Sequence, residues 1–214
     1  MSLNIRLYGI VDPQIARGRS LAMLARAAAD GGATILQYRA KQACTRTMIA
    51  EARAIVAALA GTGVPLLIND RVDVALASGA QGVHLGREDM HPVDARALLG
   101  PESIIGATIK NRDDLMALRG QPIDYACIGG VFATNHKDNP DPPLGLDGFR
   151  ALRAEARALL GGLPVGAIAG ITRENVASQM KAGADGVAVI GSLFGEDDPR
   201  AAAHAMLIAM GEAA

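Results

Sequence analysis

Val64-Pro65-Leu66-Leu67-Ile68-Asn69-Asp70-Arg71-Val72-Asp73-Val74-Ala75-Leu76-Ala77-Ser78-Gly79-Ala80-Gln81-Gly82-Val83-His84-Leu85-Gly86 reads as a strand, a short helix and a second strand. Residues 64–69 are an apolar run that stops abruptly at Asn69-Asp70. Residues 71–77 have helical spacing, and Gly79 suits a helix end. Residues 82–85 are again short and apolar. A strand, a crossover helix and a strand make one parallel βαβ unit.

The same pattern extends in both directions. Strands are predicted at about 6–12, 33–39, 64–69, 82–85, 103–109, 124–129, 164–169 and 186–190. Between them lie Ala/Leu/Arg-rich helical stretches at 18–29, 45–59, 71–77, 92–99, 113–118, 146–160, 173–181 and 199–210. Eight such units predict one α/β domain over residues 1–214, a (β/α)8 TIM barrel near the small end of that fold's range. An internal echo supports repetition: Gly79-Ala80-Gln81-Gly82-Val83 resembles Gly183-Ala184-Asp185-Gly186-Val187.

Composition narrows the function. Half of the 214 residues are hydrophobic, but only 3 % are aromatic and none is Trp, so a core of Ala, Val, Leu and Ile is expected. A net charge of −1 without basic blocks argues against nucleic acid as a partner. No uncharged run reaches membrane-spanning length, and Arg6 and Asp12 spoil the N-terminal stretch as a signal peptide. A cytoplasmic protein acting on small molecules is expected, with homo-oligomerisation left open. Cys44 and Cys127 have no metal or redox spacing and read as buried or half-buried free thiols.

In such a barrel the reacting groups sit where strands end. Asn69-Asp70 and Glu88-Asp89 follow consecutive strands. Paired carboxylates with room for water and phosphate suit magnesium, although Asn69 and Asp70 also suit a helix cap. After the second strand, alternation puts Gln37, Arg39 and Lys41 on one side, a clamp for a polyanion unless the two cations pair with neighbouring acids. Thr108 and Lys110 follow the fifth strand, and Thr134 and Lys137 the sixth. The stretch 133–144 is polar and rich in proline, and a loop of that length in a compact domain is usually functional. His136 lies within it, whereas His84 and His204 read as structural. Gly170 and Gly191 end the last two strands, where backbone N–H groups commonly hold phosphate. No G-x-G-x-x-G, Walker or G-x-S-x-G motif is present.

Taken together, LYGIVDP (7–13), QYRAK (37–41), INDRVDVALASGAQGVHLGREDM (68–90), IGATIKN (105–111), GGVFATNHKDNPDPPLG (129–145), AIAGIT (167–172) and GVAVIGSLF (186–194) resemble the thiamine phosphate synthase family. The resemblance implies a (β/α)8 barrel that joins an aminopyrimidine methyl pyrophosphate to a thiazole phosphate and releases pyrophosphate. It implies that Gln37, Arg39, Lys41, Asn69, Thr108 and Lys137 hold the pyrimidine pyrophosphate, with Arg39, Lys41 and Lys137 assisting its departure. It further implies Mg2+ on Asp70 and Asp89, and the thiazole phosphate on Thr134, His136, Gly170, Ile190 and Gly191. Gly130 stands where that family often has Pro, His136 where it has Thr or Ser, Thr108 where it has Ser, and Gly191 where Ser is frequent, so a phosphate contact there falls to backbone N–H or to Ser192. The related thiazole tautomerases, which lack the second carboxylate and carry a histidine where Lys110 stands, and a non-catalytic thiazole-phosphate binder are the alternatives.

Overall fold

Residues 3–132 and 143–211 are described by a computed structural model of the chain. Eight parallel strands close into a barrel in sequence order: β1 (Leu7–Val11), β2 (Ile35–Tyr38), β3 (Leu66–Asn69), β4 (Gly82–Leu85), β5 (Ile104–Ile109), β6 (Tyr125–Ile128), β7 (Val165–Ile168) and β8 (Val187–Val189). Closure is direct, with Tyr8 of β1 opposite Ile35 of β2 on one side and Ala188 of β8 on the other. Outside the barrel run α2 (Leu21–Asp30), α3 (Thr45–Leu59), α4 (Val72–Ser78), α5 (Pro92–Leu99), α6 (Arg112–Leu118), α7 (Gly145–Leu159), α8 (Val176–Lys181) and α10 (Pro199–Ala209). Two short helices, α1 (Pro13–Ala16) and α9 (Gly191–Phe194), follow the first and last strands. The eight-unit expectation holds, and all of the larger helices except α2 and α8 begin at or within a residue of their predicted starts.

Local sequence explains the helix starts. Asp198 accepts hydrogen bonds from the backbone N–H groups of Arg200 (2.9 Å) and Ala201 (3.1 Å), and Pro199 opens α10 where no N–H is needed. Asn111 accepts from Asp114 N–H at 3.0 Å to start α6. α4 ends on Gly79 at φ 78°, a left-handed cap that glycine adopts without strain.

Two apolar layers form the core. Leu36, Leu66, Ile68, Val83 and their neighbours face the helices, and this outer layer is mostly aliphatic as expected, with Tyr38, Phe149 and Phe194 buried among them. The barrel interior is different: Tyr8, Tyr125, Ile10, Ile35, Leu67 and Cys127 pack inside it. All three tyrosines of the chain are fully buried, two of them in this interior, so the expectation of an Ala/Val/Leu/Ile core fails there. Cys127 is buried as expected, and burial pushes its thiol up to about 12. Cys44 is exposed, because it sits at the start of α3 rather than inside it, which corrects the reading of it as at least half-buried.

A repeated hydrogen bond holds the base of the barrel. The side chain just before each even strand accepts an N–H near the start of the preceding odd strand. Thr34 Oγ1 accepts from Leu7 (3.1 Å), Gln81 Oε1 from Leu66 (2.8 Å), Asp124 Oδ2 from Ile105 (2.7 Å) and Asp185 Oδ2 from Val165 (2.8 Å). Arg96 and Arg153 neutralise the two carboxylates, at 2.8 and 3.1 Å. The second glycine of each internal echo serves the opposite seam, where β4 and β8 meet the next odd strand. A Cβ on Gly82 would lie 1.9 Å from the Ile104 carbonyl oxygen, and one on Gly186 would lie 1.9 Å from that of Ile5.

Among the described residues no helix is long and apolar enough to cross a membrane. Gly82→Ala and Gly186→Ala are each expected to destabilise the fold by about 3 kcal/mol, the upper end for overpacking because the obstacle is backbone. Urea unfolding should show a lower midpoint at an unchanged slope.

Candidate active site at the barrel mouth

Seven of the expected residues line one cavity of about 900 Å³ at the C-terminal end of the strands: Gln37, Arg39, Asn69, Thr108, Gly170, Ile190 and Gly191. They come from the ends of five strands and the start of α9, so barrel closure alone assembles them. Lys41, Asp70 and Asp89 are not part of its lining but form a cluster continuous with it through Asn69. Asp89 instead borders a smaller cavity of about 120 Å³ that Thr108 also lines. Thr134, His136 and Lys137 lie outside the described residues.

The carboxylate pair is built by backbone geometry. Asp70 adopts φ 63°, a left-handed conformation that aspartate tolerates better than most residues, and its N–H donates to His84 O at 2.9 Å. The helix cap anticipated for Asn69 or Asp70 does not form, because the chain reaches Arg71 before α4 begins, and no side chain caps it. Asp89 is turned inward by accepting the Gly86 N–H at 2.6 Å. The two carboxyls are close enough to act on each other's titration. Burial opposes the Asp70 charge, but Asp89 and the Lys41 ammonium outweigh it and hold Asp70 below the usual carboxylate range. Burial and the Asp70 charge push Asp89 above that range.

Both cations of the clamp are paired with acids, as the alternative reading held. Lys41 pairs with Asp70, and Arg39 Nη1 donates to Asp12 Oδ2 at 2.6 Å. Asp12 is only 4 % exposed, sits at the end of β1 and also caps α1 by accepting the Gln14 N–H at 2.9 Å. Sequence reading missed its role, because β1 is buried along its whole length and shows no alternation to mark which side chains point inward. Tyr38, on the opposite face of β2, points outward to donate its hydroxyl to Glu51.

At the last two strand ends, Ala169 (φ 84°) and Gly170 (φ 67°) form a tight left-handed turn. Gly170 O accepts from Asn175 Nδ2 at 2.8 Å. Ser192 Oγ donates to Ile171 O at 2.8 Å and ties the β7 and β8 loops together. Its proton is thus committed within the protein.

Among the described residues no cluster of three or more His, Cys, Asp or Glu is poised for a metal. The donor set is two carboxylates, which fits magnesium: that ion commonly takes one or two protein carboxylates and fills its octahedron with water and substrate phosphate. A divalent cation would also relieve the repulsion from Asp70 that pushes the Asp89 carboxyl up.

The fold and this mouth define a (β/α)8-barrel protein whose site combines cations, paired carboxylates and glycine turns suited to a phosphorylated small molecule. Residues 7–193 match the family model described as "Thiamine monophosphate synthase", and the chain belongs to that family. It is 56 % identical over 192 residues to a thiamine-phosphate synthase of Agrobacterium fabrum, covering 90 % of this chain and 87 % of the relative. It is 43 % identical over 207 residues to one of Xanthobacter autotrophicus, covering 97 % and 96 %. Among solved structures, a thiamine phosphate pyrophosphorylase from Pyrococcus furiosus superposes with a TM-score of 0.84 at 32 % identity, covering 98 % of this chain and 96 % of that one.

Two outcomes are expected. Asp89 is held above its ordinary pKa, so its charge opposes folding at neutral pH and ceases to do so once pH falls below the usual carboxylate range. In metal-free buffer, Asp89→Asn should raise the urea midpoint at pH 7 and give no gain at pH 3. Asp12→Ala strands the Arg39 guanidinium and should lower stability by about 3 kcal/mol, read from the same unfolding curves.

Proposed function

We propose that this chain is a thiamine-phosphate synthase: a transferase that joins an aminopyrimidine methyl pyrophosphate to a thiazole phosphate, forming thiamine phosphate and releasing pyrophosphate. The observation that carries the reading is the single mouth cavity, which gathers Gln37, Arg39, Asn69 and Thr108 on one side and Gly170, Ile190 and Gly191 on the other. Two ligands that must react fit such a divided site. Family membership and the named relatives support the reaction class.

In this reading Gln37, Asn69 and Thr108 hold the pyrimidine ring. Arg39, Lys41 and Lys137 take the pyrophosphate, Arg39 as a fork held rigid by Asp12 and Lys41 as a point charge. Asp70 and Asp89 would hold Mg2+, which when bound supplies positive charge to the departing pyrophosphate. Lys41 then transfers its partnership from Asp70 to phosphate oxygen. The carbon–oxygen bond to pyrophosphate breaks first, and the electron-rich aminopyrimidine stabilises the methylene cation. The thiazole nitrogen, held by its phosphate on Gly170, Ile190, Gly191, Thr134 and His136, donates its lone pair to form the new carbon–nitrogen bond. No protein nucleophile or strong base is needed. The protein's part is positioning, charge stabilisation and exclusion of water that would trap the cation.

The test is direct. The folded protein with both substrates and magnesium should form thiamine phosphate and pyrophosphate in equal amounts, and absence of product would sink the assignment. Asp70→Ala and Asp89→Ala should each lose turnover by at least about 100-fold, the scale for removing one charge-stabilising group. Lys137→Ala should slow the single-turnover rate of pyrophosphate departure. Full activity in either aspartate variant would remove the metal from those residues.

A further inference from the structure

Five polar side chains form an unbroken hydrogen-bonded row through the barrel: Gln37, Tyr8, Tyr125, His84 and Thr108. They come from β2, β1, β6, β4 and β5, so the row crosses the interior rather than following the sheet. Gln37, Tyr8, Tyr125 and His84 are each at most 4 % exposed. The rings support one another, with Tyr8 edge-on to Tyr125 at a centroid distance of 5.8 Å and His84 5.6 Å from Tyr125. Gly106 makes room for it, since a Cβ there would lie 2.3 Å from the Tyr125 hydroxyl oxygen. The proposed reaction uses the two ends of this row, Gln37 and Thr108, and leaves its middle unexplained.

The row has a direction. An amide nitrogen only donates, and Gln37 Nε2 donates to the Tyr8 hydroxyl. Tyr125 donates its hydroxyl proton to the same oxygen at 2.9 Å. With that proton committed, the Tyr125 oxygen accepts from His84 Nδ1 at 2.9 Å. Run in that sense, the row puts the ring proton on Nδ1 and leaves Nε2 to accept the Thr108 hydroxyl proton across 2.8 Å. Both ends of the row then turn acceptors toward the cavity: the Gln37 carbonyl oxygen and the Thr108 lone pairs.

We infer that His84 is a positioning residue for substrate choice: held by Tyr125, it turns the Thr108 proton away from the cavity, so that Gln37 and Thr108 together accept from an exocyclic amino group and reject an oxo group in its place. This rests on the proposed placement of the pyrimidine ring at Gln37 and Thr108. An amino group brings two donors to two acceptors. An oxo group brings only lone pairs and leaves buried acceptors unpaired, a mismatch that discriminates about tenfold or more.

The experiment has two arms. Long-range nitrogen–proton NMR on the wild-type protein with labelled histidine, the signals assigned by their loss in His84→Gln, should show Nδ1 protonated and Nε2 bare. The opposite tautomer would overturn the inference without any variant having to fold. Calorimetry should then show the aminopyrimidine methyl pyrophosphate binding at least tenfold more tightly than its 4-oxo analogue. In Thr108→Val and His84→Leu that ratio should collapse toward one, and in His84→Leu inorganic pyrophosphate should bind as before. His84→Gln, whose amide oxygen can accept from Thr108, should recover part of it. A ratio unchanged in a folded Thr108→Val overturns the inference and leaves the synthase reading intact. Wild-type protein that binds neither pyrimidine overturns both.

Discussion

Closing eight parallel strands into a ring removes every sheet edge, but each strand must then start at a staggered height, and the N–H groups at those starts need partners. Here one polar side chain per strand pair meets the need. Thr34, Gln81, Asp124 and Asp185 all sit immediately before or within a residue of an even strand, and all accept from the odd strand beside it. Everything above depends on the register they hold, because a slip of one residue would turn Gln37, Asn69, His84 and Thr108 from the interior to the helix layer. On their other side β4 and β8 also come close to the next odd strand, where Gly82 and Gly186 leave room for the Ile104 and Ile5 carbonyls.

The two ends of the barrel follow opposite rules. At the base opposite charges are brought together, as Arg96 and Arg153 neutralise the two aspartates. At the mouth like charges are brought together. The Asp70 and Asp89 carboxyls face each other, and Asp70 and Ala169 hold left-handed backbone that costs energy in a non-glycine residue. A ligand that brings cations and phosphate together relieves the first of these strains. The fold tolerates such a mouth because the base and the apolar layers hold the strands independently of it.

Much of this was legible in the sequence, for reasons that differ by element. The strands were found because each is a short apolar run between helical spacings, and 92–99 was placed to the residue because Pro92 and Gly100 bracket it. α1 and α9 were missed as helices because four residues carry no periodicity. The cavity-lining residues were legible because strand ends must be polar to face solvent and ligand. Asp12, Tyr8, His84 and Tyr125 were not, for a physical reason: a strand buried on both faces has no hydrophobic alternation to show which side chains point inward. His84 therefore read as an ordinary core histidine, and only the closed barrel shows it bonded at both ring nitrogens.

The paired device at the base also says where the chain can be cut. Its four hydrogen bonds span 27, 15, 19 and 20 residues, each within one two-strand unit. A circular permutant opened between units, at Gly61–Gly63 ahead of β3, keeps all four as local contacts. One opened inside a unit, within α4, makes the Leu66–Gln81 bond the most distant contact in the chain and adds loop-closure entropy before it can form. The barrel is in that sense four interchangeable quarters, and new termini belong at the seams.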